Sequence, residues 1–184
     1  MCVASGTFGF RPSRMSKADF IACFGDVYEH SPWVAELAWQ GGLDVGHDST
    51  DGLAVALAQS VDGAGRERCL QLIRAHPDLA GRAAVSGTLT AESTSEQTSA
   101  GIDQCTVDEL LRFQQYNDAY KNKFGFPFVM AVRGSNRHAI LAAFQERLKN
   151  DYDTEFRRAI NEIHKIAKFR LQAIADQSND IGVS

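Results

Sequence analysis

The chain has 184 residues, of which 44% are hydrophobic and 23% are charged, and its formal net charge at pH 7 is −4. This length and composition predict one globular domain with a substantial core. The negative charge and the lack of a basic stripe argue against nucleic acid as a partner, and no apolar run is long enough for a bilayer span.

The two ends of the sequence are expected to lie outside the folded domain. Residues 1–15 lack the uninterrupted apolar core of a secretory signal, so we predict a flexible leader there. We place a helical domain at residues 16–175 and a flexible tail at residues 176–184. The cysteines show neither a CxxC pair nor zinc-finger spacing, which predicts a reducing cytoplasm and no metal site. They are Cys2, Cys23, Cys69 and Cys105.

The N-terminal part of this domain predicts a series of helices. Ser16 and Asp19 have the spacing of a capping box, and a Ser-Pro pair at 31–32 is typical of the start of a second helix. A pair of glycines at 41–42 ends the second helix, and a third helix follows. The residues that we expect to face the core are Phe20, Phe24, Trp33, Leu37, Ala38, Leu53, Leu57 and Val61.

A histidine continues the apolar face of the fourth helix. Cys69, Leu72, Ile73 and His76 share that face, and Pro77 follows at once. Because the residue before a proline is disfavoured in helical geometry, His76 ends the helix. An imidazole in such a position can be tuned to exchange protons near neutral pH. The alternative is a structural core histidine that bonds a backbone group. The pattern of this helix alone does not decide between the two interpretations.

Residues 81–106 are small, polar and rich in Ser, Thr and Gly, which predicts a loop near a functional site with a short helix inside residues 89–97. Glu96 lies in this stretch, either as a solvated carboxylate or as a group that orients a polar ligand. The next helix begins at a capping box formed by Thr106 and Glu109, and it ends at Gly125.

Residues 124–132 have the composition of a strand but no partner strand, so we interpret them as an extended buried linker. A helix with Ile140, Leu141 and Phe144 inward follows it, and the last helix extends from about residue 154 to about residue 175. The sequence therefore predicts an all-α, single-domain bundle of about eight helices with one short extended buried segment.

Arg170 lies on the apolar face of the last helix, where positions 156, 160, 163, 167, 170 and 174 follow helical spacing. A buried guanidinium keeps its charge and is costly unless it is paired. An internal salt bridge, or a stem that carries the charge to solvent, would explain it structurally. A clamp for an anionic ligand would explain it functionally, because the planar guanidinium suits carboxylates. The pattern leaves these alternatives open.

Several common catalytic motifs are missing from the sequence. The histidines do not show HxxxH or HExxH spacing, and neither GxxxxGK[ST] nor GxGxxG occurs. The pattern GxSxG is also missing. The sequence therefore gives no support for a zinc centre, a nucleotide cofactor or a serine hydrolase.

Four separate motifs follow one another along the chain: His76–Gly81, Ser93–Gly101, Tyr120–Gly134 and Glu162–Leu171. In this order they resemble the OHCU decarboxylases, where OHCU is 2-oxo-4-hydroxy-4-carboxy-5-ureidoimidazoline, an intermediate of urate breakdown. Residues 27–33 also resemble the N-terminal helical turn of that family, and the resemblance covers about residues 16–175.

The resemblance implies an all-helical, commonly homodimeric enzyme that needs neither a metal nor an organic cofactor and converts OHCU to (S)-allantoin. It implies that His76 is the catalytic acid/base and that Glu96 and Arg170 are the other catalytic residues, and we expect the three to meet in one cavity. The residues that it implies for substrate binding are Pro77, Ser93, Thr94, Ser95, Glu96, Gln97, Phe128, Val129, Met130, Ala131 and Val132.

Two other classes of function compete with this one. A histidine-phosphotransfer module would need an exposed histidine in the middle of a helix, whereas His76 is predicted at a helix end on the apolar face. A hydrolase of ureido compounds would normally activate water with a metal, and the sequence lacks the ligand spacing for one.

Overall fold

The computed structural model describes residues 6–81 and 89–181. Over these residues it contains eight α-helices and no strand, apart from an isolated bridge between Thr7 and Ser49, which confirms the all-α prediction. Short 3-10 helices lie at Pro12–Arg14, Val45–Asp48 and Ile102–Gln104. The α-helices are α1 (Lys17–Phe24), α2 (Trp33–Gln40), α3 (Thr50–Asp62), α4 (Arg66–Ala75), α5 (Ala91–Ser99), α6 (Val107–Phe124), α7 (Arg137–Arg147) and α8 (Tyr152–Ile181).

The start of α1 and both ends of α6 follow the capping signals in the sequence, whereas α2 begins at Trp33, just after the Ser-Pro pair, without a side-chain cap. Ser16 accepts a hydrogen bond from the Asp19 N–H at the start of α1. At the start of α6, Thr106 and Glu109 bond each other's backbone N–H groups, which is the reciprocal capping box that their spacing predicts. Gly125 ends α6 with a φ of 73°, a left-handed conformation that glycine adopts without strain.

The described residues divide into two compact units, one formed by residues 6–72 and 164–181 and the other by residues 73–81 and 89–163. Helices α4 and α8 contribute residues to both. No helix among the described residues is long and apolar enough to cross a membrane.

In the first unit, α2 packs against α1 and α3, and Leu53, Leu57 and Val61 of α3 are fully buried as predicted. The inward face of α2 differs from the prediction, because Trp33 and Leu37 are only half-buried. The helix begins at Trp33 itself, and the Trp33 ring lies under the Arg68 guanidinium at 5.0 Å. The face of α2 that enters the core is formed by Val34, Ala35 and Ala38.

The described parts of the predicted leader and tail pack within the first unit. Phe8 is buried, with its ring centroid 5.5 Å from that of Phe24, and the Gly9 N–H donates to the Ser178 hydroxyl at 2.9 Å. Helix α8 continues to Ile181, past the predicted end near residue 175. The flexible leader and tail stay predictions for residues 1–5 and 182–184, which lie outside the described residues.

An aromatic cluster forms the core of the second unit. The rings of Phe128 and Phe144 stack with centroids 3.8 Å apart, and Tyr120 meets Phe128 edge to face at 5.2 Å. Residues 126–132 are neither helical nor paired in a sheet, and they are buried except for Met130 and Ala131, which are half-buried. This agrees with the interpretation of the segment as a buried linker.

Candidate active site

His76 follows directly after the last residue of α4 and is 8% exposed. Its N–H donates to the Ile73 carbonyl at 3.2 Å, so the backbone completes one more turn before Pro77. Cys69, Leu72 and Ile73 are buried, which confirms the apolar face that the sequence predicted for this helix. The imidazole is therefore buried at a helix end.

Side chains from α5 and α6 hold the turn that follows His76. The Asn117 amide donates to the Leu79 carbonyl at 2.9 Å, and the Ala80 N–H donates to Gln97 Oε1 at 3.0 Å. Lys121 forms an ion pair with Asp78 at 2.6 Å. These contacts retain Ala80 at a φ of 50°, a left-handed conformation that costs about 1–2 kcal/mol in a residue other than glycine. The backbone next to His76 is thus fixed in one conformation.

Helix α5 confirms the short helix predicted in the polar stretch, and the Thr90 hydroxyl caps it by accepting from the Ser93 N–H. Ser93 and Gln97 are buried and Glu96 is half-buried, whereas Thr94 and Ser95 are exposed. Of the predicted substrate-binding residues on this helix, Ser93, Glu96 and Gln97 therefore share the face turned towards the protein. This placement favours them over Thr94 and Ser95. Residues 82–88, which precede this helix, lie outside the described residues.

Two buried charged side chains hold the backbone of residues 128–132. Arg147 Nη1 donates to the Val129 carbonyl at 2.7 Å, and the Ala131 N–H donates to Glu162 Oε2 at 3.0 Å. The Arg147 guanidinium also lies 4.2 Å from the centroid of the Phe128 ring, a cation–π contact. The segment is therefore held by side-chain hydrogen bonds and not by a sheet, and these bonds satisfy two of its buried backbone groups.

Arg147 belongs to a buried network centred on Glu155. Arg147 pairs with Glu155, which also accepts from the Tyr120 hydroxyl at 2.6 Å and from the Asn150 amide at 2.8 Å. Burial raises the pKa of Tyr120, so its hydroxyl stays a hydrogen-bond donor. Sequence reasoning missed Arg147, because a basic residue in the last turn of a helix is normally a solvent-exposed cation.

Arg170 lies in the first unit and is 7% exposed, as its place on the apolar face of α8 predicted. Its Nη1 is 2.7 Å from Glu29 Oε2 and donates to the Asp26 carbonyl at 3.4 Å. The internal salt bridge that the helix pattern left open is thus present. Sequence reasoning missed Glu29 as the partner, although it lies in the 27–33 motif. The pair orients the guanidinium and leaves a ligand-binding role compatible with it.

The predicted catalytic residues fall in different units, with His76 and Glu96 in the second and Arg170 in the first. Their meeting in one cavity stays a prediction. The first unit also has an open cleft of about 580 Å³ that contains none of the predicted catalytic or substrate-binding residues. It is lined by Arg11, Ser13, Arg14, Leu43, Asp44, Val45 and Asp48.

Two observations bear on the rival functions, a histidine-phosphotransfer module and a metal-dependent hydrolase. His76 is buried, which contradicts the exposed phosphoacceptor that a histidine-phosphotransfer module requires. Within residues 6–81 and 89–181, no group of three or more His, Cys, Asp or Glu side chains is placed to hold a metal ion.

Comparison with known proteins identifies the class of this enzyme. The sequence model of the OHCU decarboxylase family matches residues 13–172. A 2-oxo-4-hydroxy-4-carboxy-5-ureidoimidazoline decarboxylase from Haloferax volcanii is 43% identical over 159 residues, which are 86% of this chain and 90% of that protein. These matches define a decarboxylase, an enzyme of the carboxy-lyase class. The chain belongs to the OHCU decarboxylase family.

Two solved structures share this fold. A crystal structure of (S)-allantoin synthase superposes with a TM-score of 0.69 at 30% identity and covers 90% of this chain, which spans 53% of that longer one. A crystal structure of OHCU decarboxylase in the presence of (S)-allantoin superposes with a TM-score of 0.63 at 18% identity, over 88% of this chain and 99% of that one. The second similarity is one of fold.

Proposed function

We propose that this enzyme decarboxylates OHCU to (S)-allantoin in urate breakdown, with His76 as the proton-transferring group and with Glu96 and Arg170 as further catalytic residues. Family membership supports the reaction. The observation that carries the assignment of His76 is its burial at the end of α4, beside a turn that Gln97 and Asn117 hold in a left-handed conformation. Backbone strain retained in this way is typical of functional sites.

The substrate's own ring accepts the electron pair that the reaction releases. Ring carbon C4 carries the carboxylate and the hydroxyl, and its neighbour C5 is double-bonded to N1. When the bond from C4 to the carboxylate breaks, its electron pair forms a C4=C5 double bond, and the electrons of C5=N1 take up a proton at N1. The products are carbon dioxide and an enol, so we expect no pyridoxal or thiamine as electron sink.

His76 is assigned the proton transfer that completes the reaction. The enol becomes allantoin when the C4 hydroxyl loses its proton and C5 gains one. An imidazole held against one face of the ring delivers the proton to that face, which gives a single enantiomer. General acid–base catalysis of this kind contributes about 100- to 10,000-fold.

The remaining predicted residues bind and orient the substrate. Glu96 is assigned hydrogen bonds to the ureido or hydroxyl groups, with Ser93 and Gln97 on the same face of α5. Pro77 and the backbone of residues 128–132 are assigned contacts with the substrate ring. Thr94 and Ser95 are exposed, so we expect smaller effects from them than from Glu96. Binding energy at these groups keeps the carboxylate out of the ring plane, the geometry that favours its loss.

Arg170 is assigned to an anionic or carbonyl edge of the substrate. A guanidinium recognises a carboxylate through two parallel N–H donors, and its orientation decides whether it does so. The ion pair with Glu29 supports this role, because it holds the guanidinium in one orientation on α8.

We further propose that the enzyme acts in the cytoplasm as a homodimer, with the small molecule OHCU as its substrate. The free thiols of Cys23, Cys69 and Cys105 support a reducing compartment. The homodimer rests on the family resemblance. Light scattering after size exclusion tests it, with an expected mass of twice the 20.2 kDa of one chain. A mass of one chain at micromolar concentration would contradict it.

The reaction is tested by making the unstable substrate in place from urate and following circular dichroism. With this protein present, we expect one enantiomer of allantoin to accumulate faster than in its absence. Equal rates and a racemic product with and without the protein would contradict the proposed function.

A further inference from the structure

The backbone around Met130 is held from both sides by buried charged residues. Arg147 Nη1 bonds the carbonyl of the peptide before Met130, and Glu162 Oε2 bonds the N–H of the peptide after it. Arg147 is 6% exposed and Glu162 is 3% exposed, whereas Met130 itself is half-buried. A charged group bonds a peptide more strongly than a neutral one does, so these two bonds fix both peptide planes.

Peptide geometry then decides where the other two groups of Met130 point. The described residues contain no cis peptide bond, and in a planar trans peptide the N–H points opposite to the C=O. Because the Val129 carbonyl faces Arg147, the Met130 N–H faces away from Arg147. Because the Ala131 N–H faces Glu162, the Met130 C=O faces away from Glu162. One half-buried residue thus presents a donor and an acceptor whose directions are set by two other side chains.

The two anchors are themselves held in place. Glu155 pairs with Arg147, and Tyr120 and Asn150 bond the same carboxylate. Glu162 is held by its burial, since its pair with the exposed Arg158 at 3.2 Å is a surface ion pair that adds little. An anchor whose own side chain is fixed transmits that order to the peptide that it bonds.

We propose that Arg147 and Glu162 are positioning residues that aim the N–H and C=O of Met130 at the cyclic ureide edge of the substrate. This edge consists of the ring C2=O, an acceptor, and the neighbouring N3–H, a donor, so it matches the two groups of Met130. The inference rests on the proposed function, because it assumes that residues 128–132 bind the substrate ring. It adds the two residues that set the geometry of that contact.

Variants of Glu162 separate positioning from folding. Glu162→Met removes the acceptor for the Ala131 N–H, and Glu162→Asp keeps the charge but withdraws it by one methylene. Glu162→Gln keeps an oxygen that can accept from the Ala131 N–H, so we expect it to keep the wild-type KM. Arg158→Gln is the matched control, because it breaks the ion pair of Glu162 without touching its bond to Ala131. We expect KM to rise about tenfold in Glu162→Met and Glu162→Asp, with kcat changed much less. In Glu162→Gln and Arg158→Gln, we expect KM to stay within about twofold of the wild-type value.

Binding of simple ring compounds gives a readout that a merely structural role would not change. Hydantoin carries the ureide edge, whereas 1,3-dimethylhydantoin has lost both ring N–H donors. By calorimetry, the wild-type enzyme is expected to bind hydantoin about tenfold more tightly than the dimethyl compound. We expect this ratio to approach one in Glu162→Met and Glu162→Asp and to persist in Glu162→Gln and Arg158→Gln.

The outcomes distinguish this inference from the function on which it rests. If the wild-type enzyme decarboxylates OHCU but the two disruptive variants keep its hydantoin ratio and its KM, the positioning role is wrong and the function stands. Failure of an active wild-type enzyme to bind hydantoin or to discriminate the two compounds also overturns the inference. If the wild-type enzyme does not decarboxylate OHCU, the proposed function itself fails. If Glu162→Met does not fold, KM and the hydantoin ratio of Glu162→Asp provide the same test.

Discussion

Each unit of this enzyme contains a buried arginine paired with a buried glutamate, and the two pairs use similar chemistry for different ends. In the second unit, Arg147 and Glu155 are joined by Tyr120 and Asn150, and the guanidinium holds the Val129 carbonyl. In the first unit, Arg170 on α8 pairs with Glu29 from the loop before α2. We interpret the Arg147–Glu155 pair as a framework that holds a backbone segment in position, and the Arg170–Glu29 pair as an oriented ligand-binding group. Burial of an ion pair therefore does not by itself tell function from structure.

Removing the charge of Arg147 gives the largest expected effect on stability. Arg147→Met leaves Glu155 buried and uncompensated, and we expect a loss of about 3–5 kcal/mol in the free energy of unfolding, measured by denaturant titration. Arg137→Met is the matched control, because its pair with Glu109 is less completely buried, so we expect a smaller loss. Equal losses in both variants would break the distinction between a fully buried pair and a partly buried one.

Replacing Arg170 by lysine tests the other pair through activity. Lysine keeps the charge beside Glu29 but lacks the planar fork, so Arg170→Lys should retain the fold. We expect kcat/KM to fall by roughly tenfold to a hundredfold, as for the loss of a charged hydrogen bond. Arg157→Lys, at an exposed position on the same helix, should change it less than twofold. Unchanged kcat/KM in Arg170→Lys would make this pair structural as well.

The smallest expected effect concerns a third pair, Arg137–Glu109, and it depends on pH. The Thr106 N–H bonds the Glu109 carboxylate, and together with Arg137 this lowers the pKa of Glu109. A lowered pKa in the folded state stabilises the protein above the ordinary carboxyl value and loses that contribution as pH falls through the folded value. The free energies of unfolding of the wild type and of Glu109→Gln should therefore differ at pH 7, and the difference should shrink as pH falls below the ordinary carboxyl value of about 4.3. A difference that is constant across this range would contradict the assignment.

The two buried arginines differ in how far the sequence predicted their burial. Helical spacing placed Arg170 among apolar residues and so flagged it as buried, and the same reasoning found His76. Arg147 gave no such signal, because the last turn of a helix is where a solvent-exposed cation is expected. Its burial depends on Glu155 and on the Val129 carbonyl, which lie outside its helix and become neighbours only in the fold.

The elements themselves follow from local chemistry, and their inward faces follow less completely. Capping residues placed the starts of α1 and α6, and a glycine placed the end of α6, because those signals act over a few residues. On α2 the prediction was right for Ala38 but wrong for Trp33 and Leu37, because a helix that begins at Trp33 turns Val34, Ala35 and Ala38 towards the core. The contacts that hold the turn after His76 come from α5 and α6, and no local sequence pattern predicts them.

The central claim is that His76 transfers the proton in the reaction, and turnover of His76→Ala tests it most directly. With OHCU made in place from urate, we expect the initial rate of (S)-allantoin formation by circular dichroism to fall about 100- to 10,000-fold. The far-ultraviolet spectrum should stay unchanged, and His138→Ala, which alters an exposed histidine, should keep full activity. A folded His76→Ala enzyme that forms (S)-allantoin at a near-normal rate would contradict the account.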